Sequence, residues 1–235
     1  MNNPDNGWEA SARGWIADMG EHGDFSRLHV LDDPMMARIR GRGFQNALDI
    51  GCGEGRFCRM LAAEDIKVTG IEPTKELRQT AEARDPAGLY LDASAEALPF
   101  DADSFDLAVA YLTLIDIDGI DAATTEIARV LRPGGTLLVA NLNSFNTAGG
   151  WRRREDGSKY FALDNYLDER AEWVSWGEIH IRNWHRPFGR YMELLLNAGL
   201  RLTHFEEPAP TGGDPDKVER CKRVPFFHLM EWQKP

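Results

Sequence analysis

The stretch Leu48-Asp49-Ile50-Gly51-Cys52-Gly53-Glu54-Gly55-Arg56-Phe57 decides how this chain folds. A short apolar strand, Ala47–Ile50, runs into three glycines, and a helical pattern over 56–63 follows. Gly51 and Gly53 can take positive φ and let a ligand approach the backbone. Gly55 permits close packing at the helix start. Asp49 is poised to organise the loop or to meet a cationic group of a ligand. A tight turn with no ligand is the plainer reading, but the strand before it and the helix after it favour a nucleotide-type site. The turn lacks the third glycine of GxGxxG, where Arg56 stands, and it lacks GK[ST]. Both absences argue against a site built to grip a pyrophosphate or triphosphate.

Working outward, the same strand-then-helix rhythm repeats. Strands are expected at Lys67–Ile71, Leu89–Leu91, Phe105–Ala110 and Thr136–Ala140. Helices are expected from Thr74 to about Ala83 and over 121–131, the latter ended by a turn at Pro133-Gly134-Gly135. The strands lack polar alternation, which implies a largely parallel sheet covered on both faces. A helix at 187–198, a sixth strand at Leu200–Phe205, a Pro/Gly-rich connection over 207–223 and a final, antiparallel strand at Val224–Trp232 complete the pattern. The expected class is α/β, a Rossmann-like open sheet of seven strands in one domain over 1–235. Residues 1–40 read as a helical cover, and 142–185, too long for a bare loop, as a variable substrate-side insertion.

Ligands bind beyond the carboxyl ends of the strands in such sheets. Glu72 ends the second strand, where a carboxylate can accept both hydroxyls of a ribose; its plainer role is a helix N-terminal acid. Asp92 and Ala93 end the third strand, where a carboxylate and a backbone donor suit an adenine edge. Together these positions closely resemble the class I S-adenosylmethionine-dependent methyltransferases. Ala97-Leu98-Pro99-Phe100, Ser104-Phe105-Asp106-Leu107 and Leu131-Arg132-Pro133-Gly134-Gly135-Thr136-Leu137 carry the resemblance further, over roughly 44–141. It implies S-adenosyl-L-methionine as donor and S-adenosyl-L-homocysteine as product. It also implies a cofactor-binding set of Asp49, Gly51, Cys52, Gly53, Glu72, Pro73, Asp92, Ala93 and Tyr111. The fourth strand ends in Ala110-Tyr111-Leu112-Thr113, not in the DPPY- or NPPY-like sequence of many amino methyltransferases. The resemblance is therefore to the small-molecule (type 11) subgroup, which includes ubiquinone and menaquinone biosynthetic enzymes.

Methyl transfer asks a protein to align two partners and exclude water, more than to supply covalent chemistry. A base helps when the acceptor is a neutral hydroxyl. His185 is the candidate, in a Trp184-His185-Arg186-Pro187 segment that resembles one found in some small-molecule methyltransferases; its plainer role is structural. Arg186 suits a carboxylate or phosphate, or an internal acid. Trp15, Trp151, Tyr160 and Trp184 are expected to wall an aromatic or apolar acceptor pocket.

Composition narrows the alternatives. The net charge of −11 over 235 residues opposes a nucleic-acid or anionic-membrane partner. The one short basic run, Arg152-Arg153-Arg154, is followed at once by Glu155 and Asp156. Three cysteines without a CxxC pair point to a reduced, cytoplasmic setting and to no metal site. No signal peptide is evident, and no apolar run reaches the roughly eighteen residues of a membrane span. Rival readings are a protein or RNA methyltransferase, an NAD-type oxidoreductase on the same fold, and a catalytically silent S-adenosylmethionine-binding protein.

Overall fold

The glycine run turns from strand to helix as its sequence requires. In the computed structural model, which describes residues 6–235, the chain begins with α1 (Trp8–Met19), one π-helical turn at Arg27–Leu31 and α2 (Asp32–Ala37). Residues 1–5 of the expected helical cover lie outside the described residues. There follow β1 (Asn46–Ile50), α3 (Arg56–Ala62), β2 (Lys67–Ile71), α4 (Lys75–Arg84), β3 (Leu89–Leu91), β4 (Phe105–Tyr111), α5 (Ile120–Val130) and β5 (Leu131–Leu142).

The expected turn at Pro133-Gly134-Gly135 is instead part of β5. Phe105 pairs with Leu131 and Leu107 with Thr136, so the Pro-Gly-Gly segment is an irregularity inside a long strand. The helix before it ends at Val130, where the backbone turns extended at Leu131.

The insertion is built of strands. A short helix, α6 (Ser144–Thr147), leads into the hairpin β6 (Gly149–Arg153) and β7 (Lys159–Leu163), then the hairpin β8 (Arg170–Trp176) and β9 (Ile179–His185). After α7 (Phe188–Asn197) and β10 (Arg201–Glu206), the connection holds a helix, α8 (Pro215–Arg223), before β11 (Phe227–Gln233).

The main sheet has the order β10-β11-β5-β4-β1-β2-β3, with β11 antiparallel to both neighbours and the other six strands parallel to one another. Successive side chains feed opposite faces. Leu137 and Val139 of β5 join Met230 and Trp232 of β11 in a core shared with Ile120 and Ile127 of α5 and Leu194 and Leu195 of α7. Leu138 and Ala140 face the other way, toward Met35 and Met36 of α2 and Phe57 and Leu61 of α3. The carboxyl ends of β1, β2 and β4 thus share one edge. Above that edge, α1 and the β8–β9 hairpin form a cover, joined where the Ser11 hydroxyl donates to the His180 carbonyl (3.0 Å) and accepts from its N–H (2.9 Å).

Candidate active site

The strand ends open into one cavity of about 620 Å³, within the usual size range of small-molecule sites. Its floor is the β1–α3 loop. Gly51 has φ +65° and Gly53 φ +57°. A Cβ on Gly51 would lie 2.1 Å from Thr113 Oγ1, so the loops after β1 and β4 touch there. A Cβ on Gly53 would meet nothing nearer than Trp15 Nε1 at 3.9 Å, so this turn borders open space. Leu112, just past β4, also holds a left-handed backbone (φ 59°), a costly conformation for leucine at a position lining the cavity.

Glu72 is buried at the end of β2. It accepts the Gly53 N–H at 3.0 Å and the Thr74 N–H at 2.8 Å, one on each oxygen. Each carboxylate oxygen retains accepting capacity. Burial raises its proton affinity, opposed by those N–H bonds and by Arg78. Asp49, 1 % exposed, accepts the Cys58 thiol at 3.2 Å, and burial pushes its carboxyl up to about 7. Tyr111 donates its hydroxyl to Asp32 at 2.8 Å, while Arg56 binds the same carboxylate through two nitrogens (2.6 and 2.9 Å). Arg56, the residue in place of a third glycine, therefore ties α3 to α2.

Arg27 was not anticipated. Its guanidinium lies 4.8 Å from the Trp15 ring centre and 5.7 Å from that of Tyr111, and it lines the cavity with one side-chain bond to Asp24 (3.2 Å). Asp116 was also missed. It lines the cavity in the turn after β4, where the Asn183 amide of β9 donates to it. No sequence spacing marks either residue: Arg27 reaches the cavity through the packing of the N-terminal segment, and Asp116 stands past the end of β4 in a turn without a regular pattern.

A family model described as a methyltransferase domain matches residues 48–139, the segment that builds β1 to β5. A malonyl-[acyl-carrier protein] O-methyltransferase of Enterobacter lignolyticus is 32% identical over 193 residues, covering 80% of this chain and 76% of that protein. The chain belongs to the class I S-adenosylmethionine-dependent methyltransferases. An O-methyltransferase of Aspergillus nomiae is 41% identical over 114 residues, 46% of this chain and about half (49%) of that enzyme. The crystal structure of an S-adenosylmethionine-dependent methyltransferase from Mesorhizobium loti superposes with a TM-score of 0.76 at 25% identity, over 86% of this chain and 96% of that one. The donor of this methyltransferase is S-adenosyl-L-methionine, and its sheet is that of the family.

Most of the expected site residues of the methyltransferase converge. Asp49, Gly51, Cys52, Gly53, Glu72, Pro73, Ala93 and Tyr111 line the cavity, with Trp15, Trp184 and His185. Four do not. Asp92 is largely exposed and paired with Arg78 at 3.0 Å; Ala93, Ser94, Ala95 and Glu96 line the cavity in its place. Trp151 lies on the outer hairpin against Phe161, with the Arg223 guanidinium 4.8 Å from its ring centre. Tyr160 is covered by Arg154, 4.6 Å from its ring centre. Arg186 is fully buried, bonded to Glu169 (2.8 Å) and to the carbonyls of Leu114 (3.2 Å) and Ile117 (2.7 Å), so no donor is directed at an acceptor.

His185 reaches the cavity with both ring nitrogens engaged. Nε2 lies 2.8 Å from the Tyr166 carbonyl, which can only accept, so Nε2 carries a proton. Nδ1 lies 2.6 Å from the Thr147 hydroxyl. Thr147, whose hydroxyl also donates to the Ser144 carbonyl (2.9 Å), holds the ring as a brace between the two ends of the insertion.

Among the described residues no His/Cys/Asp/Glu group suits a metal ion, and no helix is long and apolar enough to cross a membrane.

Proposed function

We propose that this cavity holds the methyl donor along the strand ends and a small-molecule acceptor beneath the α1 and β8–β9 cover, and that the chain catalyses methylation of an acceptor oxygen. One observation carries the reading: a single cavity runs unbroken from Gly51, Gly53 and Glu72 to Trp15, Trp176 and Trp184. The bound sulfonium donor supplies a methyl carbon open to attack from the side opposite sulfur.

The residues fit that donor. Gly51, Cys52 and Gly53 lie under its methionine part, where Gly53 leaves room for close approach. Arg27 meets the α-carboxylate, since its single bond to Asp24 leaves other guanidinium donors. Asp49 faces the positive end of the donor. Glu72 and Pro73 hold the ribose: a diol supplies the two donors that a buried carboxylate lacking a cation at its oxygens calls for. Ala93 to Glu96 take the adenine, and Tyr111 walls the junction between donor and acceptor. His185 is a positioning residue that fixes α6 and the Tyr166 segment against β9.

The oxygen preference is supported by the similar O-methyltransferases, and the small, largely apolar acceptor by the tryptophan walls. The strongly acidic charge stands against a nucleic-acid partner. The cytoplasmic setting expected from the sequence belongs to this proposal and is supported by the three free cysteines. The test uses donor labelled at the methyl carbon and a fractionated metabolite extract. Label is expected in a small molecule as an O-methyl group; label in protein, RNA or an N-methyl product contradicts the assignment.

A further inference from the structure

The charges of the cavity do not resemble those of a site for an anionic acceptor. Eight carboxylates line it, against two arginines and one histidine. Arg56 is engaged by Asp32 and Arg27 lies at the donor end. Arg186 and Arg182, beside the lining residues Asn183 to His185, are not themselves part of the lining and bond elsewhere: the first bonds carbonyls and Glu169, the second Asp118. A carboxylate acceptor, such as the name of the malonyl-linked relative implies for that enzyme, finds no unengaged cation outside the donor end among the described residues.

At the acceptor end stands Asp116. Its N–H is anchored to the Thr113 carbonyl (2.9 Å), and the Asn183 amide fixes its Oδ1. The other charged groups around it are accounted for. On its own turn, Asp118 is neutralised by Arg182 and receives the Trp184 indole N–H at 2.7 Å. Glu72 at the end of β2 raises the proton affinity of Asp116, and Arg186 behind β9 opposes it. Glu172 on β8 lines the same cavity, and α1 presents Trp8 and Trp15. Burial is the largest influence and lifts the Asp116 carboxyl well above its usual range, which makes the ionised form a stronger base. The positive donor acts in the opposite direction, favouring the carboxylate when both are in place.

We propose that Asp116 is a catalytic residue that receives the proton of a phenolic hydroxyl, and that the acceptor is an aryl alcohol seated among Trp8, Trp15, Trp176 and Trp184. This rests on the methyl-transfer reading above and adds the acceptor class. A phenol loses its proton near pH 10, whereas water, a guide to aliphatic alcohols, holds its proton far more tightly. A carboxylate base bridges the first gap far more readily than the second, and aromatic walls suit a ring. In the step, the acceptor O–H bond breaks and its proton passes to Asp116. The oxygen forms a bond to the methyl carbon as the methyl–sulfur bond breaks, and that bonding pair stays on sulfur as a neutral thioether. Asp116 then gives the proton to water as the ether leaves.

The test pairs binding with turnover on the full chain. The probes are 4-nitrophenol, catechol and 2-naphthol, with 3-phenylpropionate and benzyl alcohol as controls. On enzyme saturated with S-adenosylhomocysteine, calorimetry is expected to detect the phenols and not the controls. Bound 4-nitrophenol is expected to show its phenolate absorbance at a pH where it is neutral in solution. With labelled donor, the phenols are expected to be methylated. Asp116→Asn is expected to lower kcat by about a hundred- to ten-thousand-fold, to abolish both the phenolate signal and the rise of kcat/KM with pH, and to change S-adenosylhomocysteine affinity less than about threefold. Preference for 3-phenylpropionate, failure of every phenol to bind, or an Asp116→Asn enzyme with unchanged rate and pH profile overturns the proposal. Failure of S-adenosylhomocysteine itself to bind wild-type enzyme instead defeats the donor-site reading.

Discussion

Gly51 and Gly53 share a left-handed backbone but differ in what a methyl group would meet, and that difference separates folding from binding. Gly51→Ala puts a Cβ 2.1 Å from Thr113 Oγ1. It is expected to cost about 1–3 kcal/mol in backbone strain plus the repacking of Thr113, seen as a lower melting temperature. Gly53→Ala carries similar strain with no clash, so its larger effect is expected on S-adenosylhomocysteine affinity, through the methyl group placed in the donor space. Calorimetry and thermal melts on the same two variants check the split. The glycines and Glu72 were legible in the sequence because a strand that turns at once into a helix leaves few geometries for them. Asp92, Trp151, Tyr160 and Arg186 were not. Sequence position put Asp92 at a strand end but could not show that Arg78 draws its side chain outward. Arg186 reads from the sequence as either an anion receptor or the partner of an internal acid, and Glu169 with three carbonyls decides for the second.

At the level of elements, the parallel strands and their crossover helices followed directly from apolar runs and their spacing. The two hairpins of the insertion did not, because β8 is exposed along most of its length and carries no alternating pattern. The helix α8 was missed for the same reason, since it buries no residue. Its cap was readable: Asp214 accepts the Lys217 N–H at 3.0 Å, and Pro215 occupies the first turn. The cover over the cavity depends on the reciprocal bonds between Ser11 and the backbone of His180, made by a serine that is 2 % exposed. Ser11→Ala leaves two backbone groups without that partner, a cost of about 1–3 kcal/mol. Hydrogen exchange is expected to quicken in 8–19 and 170–185 while the main sheet keeps its protection. Uniform acceleration across the sheet contradicts a separable cover.

For the whole molecule, two buried groups set opposing pH dependences. Asp49 has its proton affinity raised from 3.8 to about 7 by burial. Its favourable contribution is complete below about pH 4 and is lost as pH rises through about 7. His228, enclosed by Phe188 and Phe205, is lowered from 6.5 to about 4 by burial. Its contribution is complete above about pH 6.5 and is lost as pH falls toward 4. The two windows overlap and offset each other, but Glu72 and Asp116, also raised by burial, add to the Asp49 side, so wild-type stability is expected to fall as pH rises from 4 to 7. Asp49→Asn is expected to make that fall shallower, and His228→Phe to make it steeper, each by up to a few kcal/mol. Denaturant titrations at several pH values read this directly. Two parallel profiles contradict the assignment.

The account turns on what occupies the cavity above β1, β2 and β4. Calorimetry of the full chain with S-adenosylhomocysteine and, separately, NAD measures it most directly. The account predicts saturable binding of S-adenosylhomocysteine, weakened at least tenfold by Glu72→Ala, and no binding of NAD. Binding of NAD without S-adenosylhomocysteine, or binding of S-adenosylhomocysteine unchanged by Glu72→Ala, contradicts the site as built here.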